Sequence, residues 1–352
     1  MKYRQLGRTG LEVSELGFGT WGLGGNSYGP VDDAVSKQAL QAAFANGVTF
    51  YDTSDLYGDG HSETILGEAL RHVRSRIILS TKVGLLPHTG FEMPCDFSPR
   101  HIRAGNDASL RRLKTDYIDL YLLHSPTLDI LRQADDIIPT LEELKTAGKI
   151  RAYGVSVRSP DDGLAAVREF GFQALEVNFN LIDQRALDNG LFALALEAGA
   201  GIIARTPLCF GYLTGKLDGR ENLSHLDHRA NWPAEQRKRW AQSPNLFAFL
   251  NAGKPRTPAQ LALRFCLDQR AISTVIPGMM NPGEVVENAA SSALEPLGSE
   301  ELARIMLIYS SNVFYDQKAK ALGKNDHSSL VPVSGTRARD PARNPVVPAT
   351  HP

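Results

Sequence analysis

The chain has 352 residues, enough for one large α/β barrel or two ordinary domains, and for a sizeable core in either case. Its 38 basic and 39 acidic residues leave a formal net charge of -1, which argues against a nucleic-acid or anionic-membrane partner and for a small-molecule one. Three cysteines, Cys95, Cys209 and Cys266, form no C-x-x-C pair and read as buried thiols in a reducing compartment.

In chain order, MKYRQLGRTGLEVSEL carries no signal-like apolar run, and no segment reaches the roughly 20 apolar residues of a membrane span, so a cytoplasmic protein is expected. Residues 3 to 15 read as a hairpin turning at Arg8, Thr9 and Gly10. Strand-like and helix-like pieces then alternate: a strand at Leu16 to Gly19, a helix at Asp33 to Asn46, and a buried strand in Val48 to Tyr51 that stops at Asp52. A helix capped by Ser62 follows, then strands at Ile77 to Lys82, Tyr117 to His124, Ala152 to Ser156, Ala174 to Phe179, Gly201 to Arg205 and Ser273 to Pro277. Four helices announce themselves by a capping residue and proline, at Ser98-Pro99, Ser159-Pro160, Thr257-Pro258 and Asn281-Pro282. Eight strands, each followed by a helix, predict a (β/α)8 TIM barrel over residues 1 to 312. A long segment, 206 to 257, has room for an extra helix over the mouth, with Trp232 and Trp240 as candidate pocket walls. Residues 313 to 352, rich in proline towards the end, are expected to be extended or mobile.

Barrel chemistry sits at the C-terminal strand ends. Asp52, Lys82 and His124 occupy three such ends, and Tyr57 lies in the loop after Asp52. Singly, each has an ordinary role: a turn cap, a solvated charge, a structural histidine, a loop aromatic. At matching ends of consecutive strands, they form an acid/base set. Lys82 would lower the Tyr57 phenol's pKa by charge, Asp52 would hold Lys82, and His124 would bond a substrate oxygen, leaving Tyr57 to protonate a developing alkoxide. Such a site calls for a hydride donor.

The segment GVTFYDTSDLYGDGHSETILGEAL, with STK at 80 to 82, LLHSP at 122 to 126, GVS at 154 to 156 and IPG with VVEN further on, resembles the aldo-keto reductases, in particular their bacterial-type, potassium-channel β-subunit-like branch. The resemblance spans residues 1 to about 310. It implies that Asp52, Tyr57, Lys82 and His124 are the catalytic tetrad, that the hairpin closes the barrel floor, and that an aldehyde, ketone or sugar carbonyl is interconverted with its alcohol. It also implies a bound nicotinamide nucleotide. Gly19, Thr20 and Trp21 would line its nicotinamide side and Ser156 its carboxamide. Pro207, Leu208, Gly211, Leu213 and Lys216 would cover the pyrophosphate, and Pro277, Gly278, Glu287 and Asn288 the adenosine end.

The chain departs from the family pattern at Val157 and Glu176, where Asn and Gln are common, and at Arg205, where several subfamilies place a stacking tyrosine. Family habit implies NADP(H), but Gly278, Met279, Met280 and Glu284 stand where a 2′-phosphate would want Lys or Arg, so NAD(H) stays open. A second reading is a cofactor-binding regulatory subunit resembling potassium-channel β subunits, with little turnover. A third, a metal-dependent hydrolase using Asp55, Asp59, His61 and His124, lacks ligand spacing, and no metal is expected. Gly17-Phe18-Gly19-Thr20-Trp21-Gly22 matches G-x-G-x-x-G, yet loop residues follow it instead of the helix a Rossmann fingerprint needs. Oligomeric state has no signature in the sequence.

Overall fold

A computed structural model of the chain describes residues 1–88 and 93–315. It begins with an antiparallel hairpin, β1 (Tyr3–Gln5) and β2 (Glu12–Ser14), with Tyr3 opposite Ser14. Strand β3 (Phe18–Gly19) leads through a long loop to helix α1 (Asp33–Ala45), whose N-cap Asp32 accepts the N–H groups of Ala34 and Val35. Strand β4 (Phe50–Asp52) precedes α2 (His61–Leu70), and β5 (Ile78–Val83) precedes α3 (Pro99–Leu113). Strand β6 (Ile118–His124) is followed by α4 (Leu128–Gln133) and α5 (Ile137–Thr146), and β7 (Ile150–Ser156) by α6 (Pro160–Arg168). Then come β8 (Ala174–Asn178), α7 (Arg185–Asp188), α8 (Leu191–Ala198) and β9 (Gly201–Arg205). The long segment contributes α9 (Ala234–Phe247), and the barrel finishes with α10 (Pro258–Leu267), β10 (Ile272–Val275), α11 (Pro282–Ala289) and α12 (Ser299–Ser311).

Strands β3 to β10 pair in parallel and in sequence order. The two edges meet through Gly17 N–H to Val275 O (2.8 Å), Val275 N–H to Glu15 O (2.9 Å) and Gly19 N–H to Pro277 O (3.0 Å), which closes a (β/α)8 barrel. The strands' alternating faces build two cores. Phe50, Leu120, Leu122, Ala152, Ala174 and Ile203 point inward and pack on Leu6, Leu11 and Val13 of the hairpin. Tyr51, Leu79, Tyr121, Leu123, Leu175 and Ile202 belong to the larger cluster under the helices. The hairpin sits at the N-terminal ends of the strands: Arg8 N–H donates to Gly199 O (2.9 Å) and the Ser273 hydroxyl to Gln5 O (2.9 Å).

All four cap-proline helix starts form. Ser159 and Thr257 complete reciprocal capping boxes with Asp162 and Gln260, while Ser98 and Asn281 accept the N–H groups of His101 and Glu284. Ser62 is different from expectation. Helix α2 starts two residues earlier than a Ser62 cap would place it, after Gly60 in the left-handed region, and the Ser62 hydroxyl turns inward to Thr20 Oγ1 (2.6 Å) and Thr53 Oγ1 (3.1 Å). The first and last barrel strands are also shorter than their apolar runs, since Leu16 and Pro277 take part only in the closure. The glycine-rich stretch after β3 forms a 3-10 turn at Trp21–Gly24 and then loop, not a Rossmann helix. Of the C-terminal extension, Val313 and Phe314 are tied down by Arg239 (2.8 Å) and Gln236 (2.7 Å) of α9, and residues beyond 315 lie outside the described part. No helix among the described residues is long and apolar enough to cross a membrane.

Candidate active site

Parallel pairing aligns the C-terminal ends of the strands, with Asp52 beside Ser80, Lys82 beside Leu122, and His124 beside Ser156. Ser80 and Lys82 are two residues apart on β5 and so share a face. The Ser80 hydroxyl donates to Asp52 Oδ1 (3.0 Å) and Lys82 Nζ to Asp52 Oδ2 (2.5 Å). The fully buried ammonium also donates to Thr53 O (3.0 Å) and to Tyr57 Oη (3.3 Å), and lies 3.2 Å from Glu176 Oε2. Tyr57 is set by its loop: its N–H donates to Ser54 O (3.2 Å) and its carbonyl accepts from Ser62 N–H (3.2 Å). The next residue, Gly58, has φ +62° and passes so close to Gly24 that a Cβ would fall 2.1 Å from Gly24 O.

The electrostatics differ in one respect from what the sequence led us to expect. Burial alone would lower the Lys82 pKa, but Asp52 and Glu176 outweigh it and hold the amine charged. Burial pushes the Tyr57 phenol above the usual tyrosine range; Lys82 opposes this, while Asp52 and Glu176 add to it. Lys82 does lower it, as expected, but burial outweighs that lowering and the net shift is upward. Tyr57 is a protonated phenol at neutral pH. Burial, with Lys82, Arg205 and His88 nearby, holds His124 well below the ordinary histidine value, so its ring is neutral. Its Nδ1 lies 3.2 Å from the buried Ser54 hydroxyl, and its ring meets Tyr57 edge to face with centroids 6.1 Å apart.

Asp52, Tyr57 and His124 open onto a cavity of about 630 Å³. It runs past Gly19 and Trp21, past Glu176 and Arg205, along Pro207, Leu208, Gly211 and Lys216, and out to Pro277, Gly278, Glu284, Glu287 and Asn288. Four of the expected cofactor residues do not line it. Thr20 gives its hydroxyl to Asp52 O (2.9 Å), Ser156 donates to Glu176 Oε1 (3.1 Å), and Leu213 and Met279 point into the core, leaving Met280 at the cavity wall. Glu284 does more than add charge there: it closes the turn before α11 by accepting from Met280 N–H (2.7 Å) and Asn281 Nδ2 (3.1 Å). Lys216 pairs with Glu287 at 3.2 Å.

Sequence reasoning missed several site residues. Ser54 and Ser80 flank the charged centre, and their only signal was a position within two residues of Asp52 or Lys82. Part of an aromatic wall was also missed: Phe210 lines the cavity with Trp21 and Tyr28, and the His228 ring packs on all three, 4.4 Å from Trp21, 5.0 Å from Tyr28 and 4.8 Å from Phe210. Trp232 and Trp240 line the cavity and also pack against each other at 5.0 Å. The strand-to-helix run that carries Phe210 is strained, with Thr206, Cys209 and Phe210 all at positive φ. The third reading's residues do not converge: His61 Nε2 meets Asp33 (3.0 Å) at the surface, away from the buried His124.

Residues 15–309 match the family model described as the Aldo/keto reductase family. An L-galactose dehydrogenase from Arabidopsis thaliana is 33% identical over 314 residues, covering 86% of this chain and 91% of that protein. Among solved structures, the holo form of aldo-keto reductase AKR11C1 from Bacillus halodurans aligns with a TM-score of 0.72 and 32% identity, over 91% of this chain and 99% of the other. The glycerol dehydrogenase AKR11B4 from Gluconobacter oxydans gives 0.75 and 28%, over 89% and 97%.

Proposed function

The chain belongs to the aldo/keto reductase family, and on that premise we propose that it interconverts an aldehyde or ketone with the corresponding alcohol by hydride transfer to or from NAD(P)(H), with Tyr57 exchanging the proton. The observation that carries this reading is the Tyr57 hydroxyl 3.3 Å from an ammonium that Asp52 and Glu176 keep charged. A phenol held neutral is a competent proton donor only if the phenolate it leaves is stabilised, and Lys82 is placed to do that.

The residues present fit a nicotinamide nucleotide. Arg205 Nε is buried with no hydrogen-bond partner among the described residues, Glu176 Oε2 has the Lys82 ammonium (3.2 Å) as its partner, and both residues border the cavity next to Asp52. Gly19, Trp21, Glu176 and Arg205 would hold its reactive end, Pro207, Leu208, Gly211 and Lys216 its middle, and Pro277, Gly278, Met280, Glu284, Glu287 and Asn288 its far end. Bound there, the nucleotide supplies or accepts the hydride. The protein's share of the reaction is to aim the carbonyl oxygen at Tyr57 and His124, give it the phenol's proton, and shield the site from water behind the aromatic wall.

Trp21, Tyr28 and Phe210 offer flat apolar faces, and the similar proteins named for L-galactose and glycerol support a sugar or polyol as the substrate class. The test is a panel of polyols, sugars and simple aldehydes with both nucleotides, run on the wild type and on Tyr57→Phe. Turnover that falls by about 10²- to 10⁴-fold in the variant supports the reading. Turnover retained within a few-fold would remove Tyr57 from the proton step.

A further inference from the structure

Ser54 and Asp55 lie between Asp52 and Tyr57 in the sequence, but the mechanism above uses neither. Resting on that mechanism, we propose that Asp55 is a positioning residue that acts on His124 through Ser54: the state of its carboxyl decides which ring nitrogen of His124 carries the proton. That choice in turn decides whether Nε2 presents a donor to a carbonyl oxygen or an acceptor to an alcohol hydroxyl.

The geometry is a three-membered chain. Ser54 Oγ lies 3.0 Å from Asp55 Oδ1 and 3.2 Å from His124 Nδ1, and it accepts the N–H of Leu56 (3.1 Å). Ser54 is fully buried, so its hydroxyl is confined to these partners. A hydroxyl has one proton to give, and a neutral imidazole has one to place on either nitrogen. Two arrangements satisfy every group. With Asp55 ionised, Ser54 donates to Asp55 and accepts from His124 Nδ1–H, so Nε2 is a bare acceptor. With Asp55 protonated, Asp55 donates to Ser54 and Ser54 donates to Nδ1, so Nε2 carries the hydrogen. In both states Ser54 gives one hydrogen bond and receives two.

Asp55 is poised to change state near neutrality. Burial and Glu63 push its carboxyl up to about 7, against Ser54, Arg112 and the Leu56 N–H. The charged and titratable groups around it are Glu63 on α2, Arg112 on α3 and Tyr121 on β6. Those around His124 are Lys82 on β5, Arg205 on β9, His88 after β5 and the Tyr57 ring. The sign follows directly. Below the Asp55 pKa the site favours carbonyl binding and reduction; above it, alcohol binding and oxidation.

The test is 15N NMR of the full chain labelled at histidine, with His124 assigned by the signal lost in His124→Gln, from about pH 5 to 9. The wild type should pass from protonated Nε2 to protonated Nδ1 with a midpoint near neutrality. In Asp55→Asn and in Ser54→Ala that midpoint should vanish. A single tautomer throughout in the wild type, or a midpoint that survives in Ser54→Ala, would overturn the proposal. This readout needs no turnover, so an enzyme inactive on every carbonyl would sink the proposed function while the tautomer data still judged the relay. In the activity arm, kcat/KM for carbonyl reduction should decline above neutral pH in the wild type and lose that limb in Asp55→Asn. An unchanged limb would also overturn the proposal.

Discussion

Replacing Lys82 with methionine should separate the charge balance of the site from its chemistry. The wild-type ammonium is fully buried and contacts Asp52 Oδ2 (2.5 Å), Thr53 O (3.0 Å), Tyr57 Oη (3.3 Å) and Glu176 Oε2 (3.2 Å). Methionine fills much of the same volume but removes the counter-ion of two buried carboxylates, leaving Arg205, 3.9 Å from Glu176, as the nearest cation paired with either. Breaking a buried pair on one side costs about 3–5 kcal/mol. Asp52, already raised to about 7 with burial as the chief cause, would be raised further. A carboxyl whose folded pKa lies above its unfolded value near 4 binds protons more tightly when folded, so stability falls as pH rises from the unfolded towards the folded pKa. Thermal unfolding should therefore show a larger deficit at about pH 8 than at about pH 5.5. Adding Asp52→Asn should recover most of the deficit at the higher pH without restoring turnover. Equal deficits at the two pH values, or no recovery in the double variant, would refute the account of the buried charges.

Three further outcomes are expected. Glu284→Gln keeps an acceptor for Met280 N–H but removes a charge from the cavity's far end, so the ratio of NADP(H) to NAD(H) dissociation constants should fall several-fold; an unchanged ratio would mean this end does not meet the ribose. Gly58→Ala forces a side chain onto Gly24 O at positive φ; it should lower thermal stability and also kcat, by displacing Tyr57, and full activity would show that the loop is not set by this contact. Asn281→Ala should lose about 1 kcal/mol of stability in chemical denaturation through its helix cap, with kcat unaffected.

The barrel could be read from sequence because its signals are local. Apolar runs ending in polar residues mark strand ends, and a capping residue before proline marks a helix start, so Asp52, Lys82, His124 and the starts of α3, α6, α10 and α11 came out in place. Features set by distant partners were not legible. Ser62 looks like a helix cap until Thr20, 42 residues earlier, takes its hydroxyl. The sign of the Tyr57 shift is set chiefly by burial, which local sequence does not reveal, and Glu176, more than 100 residues away, adds to it. Met279 and Met280 are neighbours with opposite side-chain directions, and only the backbone decides which one faces the cavity. Ser54 sat in plain view within DTSDLY, yet its partner His124 is 70 residues away.

The most direct measurement is a fluorescence titration of the full chain with NADPH and with NADH, using Trp21, Trp232 and Trp240, all at the cavity wall, as the reporters. Saturable binding of at least one nucleotide at one per chain is expected, quenching this emission, with equal binding in Tyr57→Phe, whose loss belongs to the proton step alone. Failure of the wild type to bind either nucleotide would contradict the central claim, since no hydride could then reach the carbonyl that Tyr57 is placed to protonate.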